Sequence, residues 1–354
     1  MANFSFSLHP GKHPLITADL NSFIKKTAIF FLGLLVLGLG TDYLLKTGLR
    51  QRTTFVYGVW NQILEGKVNA EILVAGSSRA LVFFHPTIID SLSGYNSYNI
   101  GLDGHPLYLQ YHRLQAYFRT NEKPKLVVQE LGLNTLGMPD GVYYPEQYTP
   151  YLSEPEIYKN LVTVEPTLWK SKYIPMYDFF RFKKELAGVS VKGLLGLEDP
   201  AKDPLIKGYY PRHWEWMTHF DQFKKLYPEG REYPLDSAGV ACLENIISLC
   251  RENEVPLVLV YPPEYYENFP YSLNREEIMD TFVRIAAENE IPYWDYTHSA
   301  MSYNQDLFYN SQHMNDRGAR AFSRDLAPRL KQFLEGEKQL FLEFSPPAGL
   351  PNNN

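Results

Sequence analysis

Ser78, in Gly76-Ser77-Ser78-Arg79, offers a hydroxyl, and His313, in Asn310-Ser311-Gln312-His313, offers an imidazole. A hydroxyl is a weak nucleophile at neutral pH until a base takes its proton. Histidine, whose ordinary pKa lies near neutrality, suits that task. Attack on a carbonyl creates a tetrahedral oxyanion, which needs hydrogen-bond donors aimed at it. The backbone N–H groups of Ser78 and of Gly104, and the side-chain amide of Asn134, are the candidates. Glycine at 104 also lets the backbone approach a ligand closely. Arg79 has two readings. It makes a structural ion pair or helix-start hydrogen bond, or its planar fork recognises an anionic group on a substrate.

These residues gain meaning from the elements that must carry them. Short, continuous apolar runs end just before each candidate: EILVAG before Ser77, SYNI (97–100) before Gly101, and KLVVQEL before Gly132. Two further runs, PLVLVYP (256–262) and IPYWDY, complete a predicted set of five strands. Between them lie segments of helical spacing, LYLQYHRLQAYF, AGVACLENIISLCREN and NREEIMDTFVRIAAENE, and a last helix is predicted from about Asn315 to Leu334. Strands without polar alternation are those covered on both faces by helices. Alternating βα units imply a doubly wound, flavodoxin-like parallel sheet, in which sites form beyond the carboxyl ends of the strands. Taken singly, a Gly-Ser-Ser triplet or a lone histidine is structural; their shared position at strand ends is what singles them out. No Gly-rich phosphate loop follows the first strand, which argues against a nucleotide binder.

At these residues the chain resembles the SGNH (GDSL-like) hydrolases and acyltransferases. AGSSR resembles the family's first block, whose last serine is the nucleophile, and this carries over to Ser78. NIGLDG resembles the second block, whose glycine is an oxyanion donor, here Gly104; ELGLN resembles the third, whose asparagine is another donor, here Asn134. NSQHMNDRGARAFS resembles the fifth block, Asp-x-x-His, and supplies His313. The resemblance covers 70–135 and 236–334. Two departures stand out. The aspartate that closes the third block is replaced by Thr135, and the family's catalytic acid falls at Asn310, an amide. An asparagine can accept a hydrogen bond from the imidazole but supplies no negative charge, a change that costs a serine protease about 10⁴ in kcat. Three arrangements follow: a Ser78–His313 dyad oriented by Asn310, another carboxylate (Asp306 or Asp295) reaching His313, or an SGNH fold that has lost hydrolysis.

The rest of the chain bounds the setting. Residues 1–22 read as a flexible arm and 23–47 as a signal-anchor. From Thr27 to Leu45 the one charge is Asp42, and about 20 residues of helix cross the roughly 30 Å hydrocarbon layer. Lys25 and Lys26 flank one end and Lys46, Arg50 and Arg52 the other, so the positive-inside rule barely orients the span. The main domain is expected over 55–335, broken by a Tyr-, Pro- and Trp-rich insertion at 140–235, with a flexible tail over 336–354. Within the insertion, KGYYPRHWEWMTHF holds His213, Trp214, Trp216 and His219, a weak metal pattern and a better lid or sugar-binding wall. The 26 Tyr and 21 Phe suit either aromatic packing or a carbohydrate-facing surface. A net charge of −6 argues against a nucleic-acid partner. Cys242 and Cys250 share one predicted helix, too far apart for a disulfide, and read as buried apolar residues.

By resemblance, an anchored SGNH-like domain implies an ester hydrolase or O-acyltransferase outside the cytoplasm. The expected substrate is a small ester or acylated surface glycan, and the expected neighbours are membrane lipid around 27–45 and a membrane-bound O-acyltransferase. No cofactor or metal is implied. The competing expectation is a non-catalytic SGNH-fold partner in glycan modification, which Asn310 keeps open.

Overall fold

The computed structural model describes residues 14–346 apart from 139 and 338. Five short strands, β1 (Ile72–Ala75), β2 (Ser97–Asn99), β3 (Leu126–Glu130), β4 (Leu257–Tyr261) and β5 (Tyr293–Asp295), pair in parallel in the order β2-β1-β3-β4-β5. This is the flavodoxin-like order, and the predicted α/β class is borne out. Nearly every strand residue is buried, because helices cover both faces. One side is closed by α2 (Phe55–Leu64), α5 (Leu107–Thr120), α11 (Ser237–Glu252) and α12 (Arg275–Glu288), and the other by α3 (Ser78–Phe83), α4 (Pro86–Ser93) and α13 (Asp316–Leu334). Cys242 and Cys250 are buried on α11, and burial pushes the Cys250 thiol up to about 12.

Between β5 and α13 lies an antiparallel pair, β6 (Phe308–Asn310) and β7 (His313–Met314), in which Asn310 faces His313. The tail departs from expectation. Residues 341–342 form β8, parallel to β5, so the sheet has six strands rather than five. The Trp294 indole N–H donates to the Gln339 carbonyl at 3.0 Å, and Phe344 packs on Tyr296. A two-residue strand has too little periodicity to stand out in a Pro- and Asn-rich tail.

The N-terminal helix α1 (Pro14–Arg50) starts well before the expected anchor boundary, so 14–22 are helical rather than a loose arm; 1–13 lie outside the described residues. Its stretch Leu20–Arg50 is long and apolar enough to cross a membrane, and its most apolar window has no buried residue, unlike a core helix. From Asp42 onward the helix belongs to the domain. Asp42 accepts from the Met176 N–H at 2.9 Å and pairs with Lys46, while Leu45 and Leu49 are buried. The insertion is mainly helical: α6 (Pro155–Val164), α7 (Leu168–Tyr173), α8 (Tyr177–Arg181), α9 (Lys183–Leu194) and α10 (His219–Leu226). Helix α9 lies along the end of α1, where Gly193 faces Gly48 and the Ser190 hydroxyl bonds the Leu45 carbonyl. Much of the insertion is therefore a foot for α1 rather than a lid alone.

Candidate functional site

Strand β1 ends on Ala75, and the chain turns at Gly76 with φ 155°. A Cβ there would sit 2.7 Å from the Glu130 carboxylate, so glycine permits the turn. Glu130, 1% exposed at the end of β3, accepts from both the Ser77 N–H and its hydroxyl at 2.9 Å. Ser77 is thereby pinned, and Ser78 becomes the first residue of α3. From there Ser78 Oγ lies 2.9 Å from His313 Nε2.

His313 owes its position to the two-residue loop of the β6–β7 hairpin. Asn310 Oδ1 accepts from the backbone N–H groups of Gln312 (3.0 Å) and His313 (2.9 Å) and faces His313 Nδ1 at 3.1 Å. Two backbone donors require the oxygen, not the amide nitrogen, on this side. Nδ1 is then the protonated ring nitrogen, and Nε2 presents its lone pair to Ser78. The Tyr309 ring stacks on the imidazole with centroids 5.5 Å apart, and Trp214 of the insertion packs edge-on against Tyr309. Burial, then the positive charges of Arg79 and Arg212, hold the His313 pKa down to about 3. The ring is a neutral base at any ordinary pH. Neither Asp306 nor Asp295 makes a hydrogen bond to it: Asp295 caps the Thr297 N–H at 2.8 Å, and Asp306 is exposed.

The other two candidates line the same pocket, of about 330 Å³, together with Ser78 and His313. Gly104 adopts φ 63°, and a Cβ would strike the Tyr143 ring. Buried Asn99 braces its loop, with Oδ1 accepting from the Gly101 N–H at 2.8 Å and Nδ2 donating to the Ala80 carbonyl at 2.7 Å. Asn134 sits in a turn closed by Thr135, whose hydroxyl accepts from the Gly132 N–H at 2.7 Å. Thr135 thus closes the turn at the position where the block that it resembles carries an aspartate.

Of the two readings of Arg79, the structural one has observed contacts. Its guanidinium is buried and donates to the carbonyls of Leu131 (3.3 Å), Pro262 (2.6 Å) and Pro263 (3.3 Å). It lies over the Tyr261 ring and 3.9 Å from Glu130. Three bonds to backbone carbonyls make it a tie between the ends of β3 and β4, while it also lines the reactive pocket and its Nε makes no hydrogen bond among the described residues. In the insertion, His213 lies 3.8 Å from Asp316, and Trp216 packs on Tyr265 and Phe220. Among the described residues no group of His, Cys, Asp or Glu is arranged to hold a metal.

Sequence reasoning missed the supports: Glu130, Asn99, and Glu264, a buried pocket-lining carboxylate bonded to Arg275 and to the Tyr261 hydroxyl. The signal for Glu130 was a charged residue closing a wholly buried strand, LVVQE.

No protein-family model matches the chain, and no curated protein matches it. Solved structures similar to it include a protein of Desulfitobacterium hafniense DCB-2 described as a lipolytic protein of the G-D-S-L family. It is 11% identical, with 73% of this chain and 98% of that one covered and a TM-score of 0.37. A Bacteroides fragilis NCTC 9343 protein described as an acylhydrolase is 14% identical, with 73% and 87% covered and a TM-score of 0.33.

Proposed function

We propose that the protein is an ester-bond enzyme, a hydrolase or O-acyltransferase, in which Ser78 is the nucleophile and His313 the general base. The observation that carries this reading is the 2.9 Å contact between Ser78 Oγ and His313 Nε2, with Asn310 holding the opposite ring nitrogen. In the first step Ser78 Oγ bonds to the substrate carbonyl carbon as Nε2 takes its proton. The oxyanion would be held by the N–H groups of Ser78 and Gly104 and by the Asn134 amide. Collapse breaks the ester bond, and the imidazolium protonates the leaving alkoxide, which leaves an acyl-Ser78 ester. Water as second acceptor gives hydrolysis; a sugar hydroxyl gives transfer. An apolar helix long enough to anchor the domain to a membrane fits a substrate at a membrane surface, and by the resemblance alone that substrate would be an acylated glycan outside the cytoplasm. A serine-directed fluorophosphonate tests the reading. It should label the wild type and not Ser78→Ala, and an unlabelled wild type would sink the nucleophile assignment.

Asn310 and the low His313 pKa favour a second reading, a glycan-binding partner without turnover. An imidazolium with no carboxylate beside it is poorly stabilised. Under that reading Ser78→Ala leaves the biological role intact, and no ester is turned over.

A further inference from the structure

A second and larger cavity, about 690 Å³, opens on the other side of the Gly101–Asp103 loop from the reactive pocket. Its walls are largely apolar: Val59 of α2, Leu81 of α3, Leu102 of the loop, and Leu186 and Val189 of α9. Its volume is that of a small-molecule site. Arg113 of α5 also lines it, and this side chain is out of keeping with its surroundings.

Arg113 is 1% exposed, yet none of its three guanidinium nitrogens has a hydrogen-bond partner among the described residues. Its neighbours are aromatic. It lies 4.3 Å from the centroid of the Trp60 ring, and the titratable groups that act on it are tyrosines 148, 98 and 151, which burial keeps neutral. Burial lowers its pKa to about 10, so it remains a cation at neutral pH. An unpaired buried charge is costly, and ring faces offset that only in part. The other buried arginine described above, Arg79, is matched by Glu130 and three carbonyls. The nitrogens of Arg113 are closed to water, and a shift of the side chain toward the cavity that it lines would present a planar set of donors suited to a carboxylate or phosphate.

The cavity faces the base of the apolar helix. Its α9 wall packs along the end of α1, and exposed Phe55, Tyr144, Arg181 and Glu185 rim it. Beside them, α7, α8 and the link between them leave Trp169, Tyr173, Ile174 and Phe180 exposed where the chain meets α1 near Asp42. Exposed aromatics beside a spanning helix are characteristic of a membrane–water interface.

We propose that this cavity binds an amphiphile drawn from the membrane, with its anionic carboxylate or phosphate head on Arg113 and its alkyl chain along α9. The site is separate from the Ser78 pocket and does not rest on ester chemistry.

The test uses the full chain in uncharged detergent micelles, with the unfolding midpoint followed against added ligand. Dodecyl phosphate or dodecanoate should raise the midpoint, and whichever does so at lower concentration identifies the head. Dodecanol, with the chain alone, and inorganic phosphate, with the head alone, should bind at least about tenfold more weakly, since a charge-assisted hydrogen bond is worth that much. Arg113→Met should weaken the anionic amphiphile by a similar factor, and Leu186→Trp, which fills the cavity while leaving Arg113 in place, should do the same. Ser78→Ala should bind as the wild type does. Equal binding of dodecanol and dodecyl phosphate would overturn the proposal. So would undiminished binding in Leu186→Trp, a variant that decides the matter even if Arg113→Met fails to fold.

Discussion

The reactive pocket and the cavity under the insertion share the loop 101–104, yet they treat buried charge in opposite ways. Around the reactive pocket, buried charges come as matched sets: Glu130 with Arg79 and Ser77, and Glu264 with Arg275 and Tyr261. Next to the cavity, Arg113 has aromatic faces and no carboxylate among the groups that shift it. The first arrangement sets a countercharge beside each buried charge and holds a nucleophile in place, with only Arg79 Nε, Glu130 Oε1 and Glu264 Oε2 lacking a hydrogen bond among the described residues. The second sets no carboxylate beside its cation and gains most from a bound anion. A matched set rigidifies a site; an unmatched charge creates affinity.

The largest expected effect comes from breaking one of the matched sets. Glu130→Ala leaves Arg79 without a countercharge and Ser77 without an acceptor. It should cost about 3 kcal/mol of unfolding free energy in a denaturant titration, the low end for a broken buried pair because three carbonyls still hold Arg79. Arg113→Met removes an unpaired charge and should cost nothing, or stabilise slightly, when no amphiphile is present. If the two variants lose equal stability, the contrast between the regions is false.

A smaller effect is expected from restoring a charge to the reactive pocket. In Asn310→Asp the carboxylate can accept the same N–H groups of Gln312 and His313, so the hairpin should persist. A negative charge at Nδ1 raises the His313 pKa from about 3 and stabilises the imidazolium. Turnover of a reactive ester should rise about tenfold, or about 1.4 kcal/mol of barrier. The pH profile carries the sign. With its pKa near 3, the wild-type ring stays unprotonated as pH falls from 7.5 to 4.5, so the rate should be flat over that range. The variant should lose activity on the acid side. Stability follows the same logic. An unfolded histidine takes up a proton near its ordinary value while the folded ring refuses it, so wild-type stability falls as pH drops from about 6.5 toward 3. A flat profile in both proteins would remove His313 from the proton transfer.

The smallest effect tests coupling between the regions. Arg212 lines the cavity and adds to the depression of the His313 pKa, behind burial and Arg79. Arg212→Gln should raise that pKa less than Asn310→Asp does, detectable by NMR titration of the imidazole. No movement would mean that the two sites are electrostatically independent.

How much of this was legible beforehand depended on the range of the interaction involved. Strand-end apolar runs and helical spacing are local patterns, and they placed β1 to β5, the closing helix and the long apolar segment. The same pattern put Ser78 and His313 at one edge of the sheet, 235 residues apart in the chain. The Asn310 substitution is a property of residue type, visible at once. Local pattern is silent about which partner a side chain finds. Arg79 reads as a strut or as a substrate clamp, and only the nearby carbonyls of residues 131, 262 and 263 show the strut. The insertion lacks the βα rhythm, so its docking on α1 through Gly48, Ser190 and Gly193 was hidden. Arg113 lies on a helix of ordinary amphipathic spacing, and nothing in that spacing singles it out. Only packing against Trp60 and the insertion buries it, because burial is set by what the rest of the chain places on top.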